Sequence, residues 1–166
     1  FNKKLVLKYK KKTKVFLIGM GGSILGAKAI YNFLSPKLKK FFFIDSFQDY
    51  KKITQKNKID LNLVISKSGN TLETISNSNV LIKHNQSNVF ITENKKNYLM
   101  GLANKLKADV VYHNNYIGGR YSVLSEVGMV PAELMGLDSS KFKQLNFLIK
   151  NKNFFNSLLS SVNSSL

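Results

Sequence analysis

Cysteine and tryptophan are absent from these 166 residues, proline occurs twice, and only nine side chains are acidic. Without cysteine there is neither a disulfide framework nor a thiolate metal site, which fits a reducing compartment and leads us to expect a cytoplasmic protein. No apolar run approaches the roughly 18–20 residues that cross a bilayer. The lysine-rich start leads into a strand-length apolar stretch rather than a small-residue cleavage site, so no membrane partner is expected. Disorder is also excluded, because a 43% hydrophobic content suits one compact domain, or one domain of a larger protein. Phe1 in place of an initiator methionine, and an end at Leu166 without a stop signal, read as cut termini.

The shortage of acid leaves a net charge of +17, which raises nucleic acid as a partner. Its make-up argues against one. Of 26 basic side chains only Arg120 is arginine, whereas base and phosphate recognition favour the planar guanidinium fork. Abundant Lys, Asn, Ile and Phe follow more simply from an A- and T-rich coding sequence, so no nucleic-acid partner is expected. The cluster at residues 8–14 is where that expectation is most exposed. Against this background an arginine between Gly119 and Tyr121, at a strand-to-helix junction, marks a place where fork geometry matters.

Short apolar runs at residues 15–18, 41–44, 61–65, 88–91 and 109–112 read as strands. Helices are expected over 24–34, 71–84 and 95–106, with a further one possible in the lysine-rich stretch 46–58. Such alternation predicts an α/β fold, a doubly wound parallel sheet of about five strands with helices on both faces. We divide the chain into a basic lead (1–14), this α/β domain (15–140) and a helical tail (141–166). In the tail Phe142, Leu145, Leu148, Ile149, Phe154, Phe155, Leu158 and Leu159 recur at helical spacing and are expected to pack on the rest of the fold.

Ligands of such sheets bind at the carboxyl ends of the strands, and three special loops lie there: 19–23, 66–71 and 118–122. In the second, Ser66, Ser68 and Thr71 offer hydroxyls and Lys67 a mobile cation, while Gly69 and Asn70 permit a tight turn. The following helix adds its unpaired N–H groups and positive dipole end, so the loop suits a phosphate dianion. The same residues would also make a plain helix cap, with Thr71 leading Glu73 and Thr74. Gly19, Gly21 and Gly22 fail the G-x-G-x-x-G pattern because Ile24 stands at the third position, so a small phosphorylated ligand is expected rather than NAD.

Taken together, GMGGSILG (19–26), SKSGNTLET (66–74) and GGRYSVLSEVGMVPAELMG (118–136) resemble the phosphoglucose isomerase family and, more broadly, the sugar isomerase (SIS) domain. Ala27 and Glu126 depart from the family pattern, which often has proline and usually a small residue there. The resemblance implies a flavodoxin-like fold and interconversion of glucose 6-phosphate and fructose 6-phosphate through a cis-enediolate, with no metal or organic cofactor. It implies that Ser66, Lys67, Ser68 and Thr71 hold the phosphate, that Gly22, Ser23 and Gly119 line the sugar, and that Arg120 is catalytic at the developing oxyanion. It also implies a hexose 6-phosphate substrate and a homodimer. The family's base, ring-opening histidine and lysine lie in motifs downstream of this match. Glu73 reads as a helix residue, His84 and His113 as ordinary surface or helix-end histidines, and Glu126 either recharges the rim of the site or points away. The alternative is a non-catalytic SIS module that binds or senses sugar phosphates.

Overall fold

Runs in which almost every residue is apolar leave no face of a strand for water, and they form the middle of the sheet. The computed structural model describes residues 3–34, 40–46, 59–83, 85–142, 144 and 146–165. Strands β1 (Lys14–Gly19), β3 (Leu61–Ile65) and β4 (Ser87–Glu93) are buried nearly throughout. Strands β2 (Lys40–Ile44) and β5 (Asp109–His113) form the edges and are part-exposed. The order is β2-β1-β3-β4-β5, every pairing parallel. Strand order reverses between β1 and β3, where Gly19 lies in register with Ile65. The loops after these two strands therefore start side by side at the switch point.

The period-two alternation sends Val15, Leu17, Leu63, Ile65, Val89 and Ile91 to one face, where helices α1 (Lys3–Tyr9), α2 (Gly22–Leu34) and α5 (Glu126–Leu134) bring Val6, Ile24, Ala27, Val130 and Leu134. Phe16, Ile18, Val64 and Phe90 face the other way, onto α3 (Leu72–Leu81) and α4 (Tyr98–Lys105) through Leu81, Leu99 and Ala103. Helices thus cover both faces, as the alternation predicts. A 3₁₀ turn, Gly119–Leu124, precedes α5, and three helices follow it: α6 (Ser139–Phe142), α7 (Asn146–Lys150) and α8 (Lys152–Asn163).

Several details differ from the sequence expectations. The stretch read as a basic lead carries α1, which inserts Val6 and Tyr9 into the core. It is tied to edge strand β5, since Lys8 Nζ and Tyr9 Oη both donate to Asp109 Oδ2 at 2.7 Å. Burial alone would raise the Asp109 carboxyl, but these two bonds outweigh it and hold it below the usual aspartate range. Helix α4 begins at Tyr98 rather than at residue 95, because Asn97 turns the chain: its Oδ1 accepts from Met100 N at 2.9 Å while its Nδ2 donates back to Lys95 O and Thr92 Oγ1. The tail helix α8 has the expected amphipathic spacing, yet Phe154, Phe155, Leu158, Leu159 and Val162 remain 42–53% exposed. The expectation that the tail packs on the fold is met by Phe142, which lies against the core, but not by Phe154, Phe155, Leu158 and Leu159. Residues 47–58, Leu145 and His84 lie outside the described residues, as does the side chain of Ile149.

Candidate functional site

The loop after β3 is built by hydroxyls bonding to their own backbone. Ser66 Oγ accepts from Gly69 N at 3.2 Å and shares a 3.0 Å hydrogen bond with Thr71 Oγ1, and Ser68 Oγ accepts from Asn70 N at 3.3 Å. Gly69 sits at φ +66°, where a side chain is strained, and a Cβ there would overlap the Asn97 amide. Asn70 Oδ1 and Gly69 O accept from Tyr98 N and Leu99 N, which pins the loop to the start of α4. Gly69→Ala is accordingly expected to destabilise the fold by about 1–3 kcal/mol, read as a lower chemical-denaturation midpoint.

Thr71 occupies the N-cap position of α3 but makes no side-chain cap bond, because its hydroxyl turns to Ser66. The first-turn N–H groups of a helix have no intrahelical partner, and here the Thr71 side chain does not take them. One turn in, Thr74 Oγ1 is buried without a hydrogen-bond partner among the described residues. Lys67 is tethered rather than mobile: its Nζ donates to Asn115 O at 2.8 Å and lies 3.5 Å from Glu93 Oε1. Glu93 ends β4, and Lys95 at 3.1 Å, then Lys67, hold its carboxyl below the usual range.

The loop after β5 crosses back to α2. Gly119 lies against Gly22 so closely that a Cβ on Gly22 would overlap the Gly119 carbonyl, and a Cβ on Gly26, one turn further, would meet Val123. The buried Ser122 hydroxyl is 2.7 Å from Gly119 O and 3.2 Å from Gly22 O, so its single proton donates to one carbonyl or is shared between the two. Gly22, Gly26, Gly119, Arg120, Leu25 and Val123 line a cleft of about 250 Å³, with the exposed Arg120 at its edge. Ser23 is the second residue of α2, its N–H bonded to Met20 O.

The structure thus links all three loops. The post-β5 loop meets the first through Gly119 and Gly22, and the second through Asn115 and Lys67. Sequence reasoning missed Glu93, Asn97 and Ser122, because a glutamate at a strand end, an asparagine before a helix and a serine in a turn carry no signal of their own until partners 4 to 100 residues away are known. It also misread His113, which is buried rather than at the surface. Its Nδ1 lies 3.2 Å from Glu126 Oε2, so Glu126 is engaged with the histidine.

The phosphoglucose isomerase family model matches residues 6–153. The chain belongs to the phosphoglucose isomerase family. A glucose-6-phosphate isomerase of Methanocaldococcus jannaschii is 39% identical over 141 residues, covering 76% of this chain and 34% of that protein. A second, from Mycoplasma genitalium, is 36% identical over 144 residues, covering 77% of this chain and 33% of that protein. The chain spans about a quarter to a third of the length of most of the curated relatives it matches. Among solved structures, a hypothetical protein from Thermus thermophilus superposes with a TM-score of 0.72 at 26% identity, covering 82% of this chain and 37% of that one. The sugar isomerase domain of an RpiR transcription factor from Sphaerobacter thermophilus shares the fold at a TM-score of 0.56 and 14% identity, covering 98% of this chain and 84% of that one.

Proposed function

We propose that this chain supplies the sugar-phosphate-binding half of a cytoplasmic, homodimeric glucose-6-phosphate isomerase. In this reading the phosphate of a hexose 6-phosphate sits on Ser66, Lys67, Ser68 and Thr71 at the N-terminus of α3. The sugar lies along Gly22, Ser23 and Gly119, with Arg120 beside C1 and C2. A carboxylate base takes the proton from C2 of the open-chain aldose and the electron pair moves into an enediolate. The proton then returns to C1, and the hydroxyl proton of O2 passes to O1, which leaves C2 as the carbonyl of the ketose. The Arg120 guanidinium stabilises the negative oxygen while it exists. The base belongs to the part of the relatives that this chain does not span.

The observation that carries this reading is the backbone contact between Gly22 and Gly119, which puts Arg120 at the edge of a cleft between two of the family's motifs. Calorimetric titration with fructose 6-phosphate tests it. Saturable binding is expected, together with a loss of at least about tenfold in a Ser66→Ala/Thr71→Val variant that keeps the wild-type circular dichroism, the worth of one hydroxyl donating to a charged oxygen while the other supports it. A folded chain that gives no heat, or that binds equally well without the two hydroxyls, would refute the reading.

A further inference from the structure

Strand β5 ends in a histidine whose side chain is 1% exposed, and the ring is placed between two groups that can only accept. Nδ1 faces Glu126 Oε2 at 3.2 Å and Nε2 faces Ile117 O at 3.1 Å. A neutral imidazole carries one N–H and satisfies one of them, whereas the imidazolium donates to both. The two partners bracket the segment that matters. Ile117 precedes Gly119 by two residues, and Glu126 opens α5 immediately beyond the 3₁₀ turn that contains Arg120. Glu126 also occupies the first turn of α5, where the helix dipole favours an anion. This pairing accounts for a glutamate at a position where the family usually has a small residue.

From this geometry we infer that His113 is a positioning residue for Arg120: protonated, it clamps both ends of the loop that carries Gly119 and Arg120, and it makes sugar-phosphate binding depend on pH. The inference rests on the proposed sugar-phosphate site. Other charged groups around the ring are already engaged or lie at the far ends of their elements. Glu93 of β4, in register with His113, is paired with Lys67 and Lys95. Helix α4, packed beside β5, has Tyr98 at its start and Lys105 in its last turn. Asp109, at the opposite end of β5, is held by Lys8. Glu126 is therefore the only carboxylate bonded to the ring among the described residues. The charged ring donates to both partners and the neutral ring to one.

The test pairs the full chain with Glu126→Ala and with Glu126→Gln, which keeps the side chain's volume, because the side chain is only 23% exposed and its loss leaves a buried ring without that partner; β3 amide protection confirms the fold of each. Amide hydrogen exchange across residues 114–125 is followed without ligand, and fructose 6-phosphate affinity is measured on the same samples at about pH 6 and about pH 8, the span in which histidines ordinarily change charge. The ligand's phosphate also ionises there, so the readout is the ratio of wild-type to variant affinity. That ratio is expected to be roughly tenfold at the lower pH, the worth of one charge-assisted hydrogen bond, and clearly smaller at the higher, where one N–H serves only one of the two partners. Loop protection should follow the same pattern. A ratio that does not change with pH, or a loop equally protected in wild type and variants, overturns the clamp. If the wild type binds no sugar phosphate while loop protection behaves as stated, the clamp stands and the functional reading falls.

Discussion

Arg120→Ala is expected to weaken binding of a five-carbon aldonic acid phosphate by about 100- to 1000-fold, the usual effect of removing one fixed donor at an oxyanion. The affinity for fructose 6-phosphate should change only a few-fold. The two ligands share the phosphate, but the aldonate carries a carboxylate where the enediolate carries its charge, so it reports the transition state rather than the ground state. Arg120→Lys should recover only a small part of the loss, because an ammonium restores the charge but not the two-pronged donor geometry. The side chain is exposed on the 3₁₀ turn, so neither variant should move the melting temperature appreciably. Titration calorimetry with both ligands decides the matter, and an equal loss for both would reduce Arg120 to a general anion contact.

Gly22→Ala is expected to abolish sugar-phosphate binding and to cost about 1–3 kcal/mol of stability, the range for forcing extra atoms into a packed contact. The added methyl would meet the backbone carbonyl of Gly119, which is no flexible side-chain end that can step aside. Relief requires α2 and the post-β5 loop to separate, and with them the two motifs that flank the cleft. Gly101→Ala makes the matched control. Gly101 lies inside α4 with nothing within 4 Å of a new Cβ, so there the same substitution should stabilise by about 0.5–1 kcal/mol through helix propensity. Thermal unfolding of the pair, with binding measured alongside, separates a steric effect at the site from a general intolerance of alanine.

Much of this arrangement is legible in the chain because its signals are local. Apolar runs such as LNLVI cannot be solvated on either face, and those of β1 and β3 are followed at once by glycines or hydroxyls. The class of fold and the identity of these two loops follow from that. Asn97 shifted the expected start of α4 by three residues, because two lysines ahead of a helical pattern look like its first turn until the asparagine side chain is seen to cap the backbone. The same limit hid α1, whose Val6 and Tyr9 are sparse among lysines and gain meaning only against α5 and Asp109.

Read alone, then, the sequence determined the alternation of strand and helix, the parallel sheet and the hydroxyl- and glycine-bearing turn after β3, since hydrophobic period and turn chemistry act over a few residues. Tertiary structure alone decided which loops meet. In the order β2-β1-β3-β4-β5 the fifth strand lies three places from the first, so no pattern near Gly119 announces that its chain returns to touch Gly22. Likewise, nothing around a histidine at position 113 states that folding will bury its ring between a carbonyl and a carboxylate. Both outcomes depend on the packing of segments far apart in the chain, and the energies that fix them arise only once those segments are in contact.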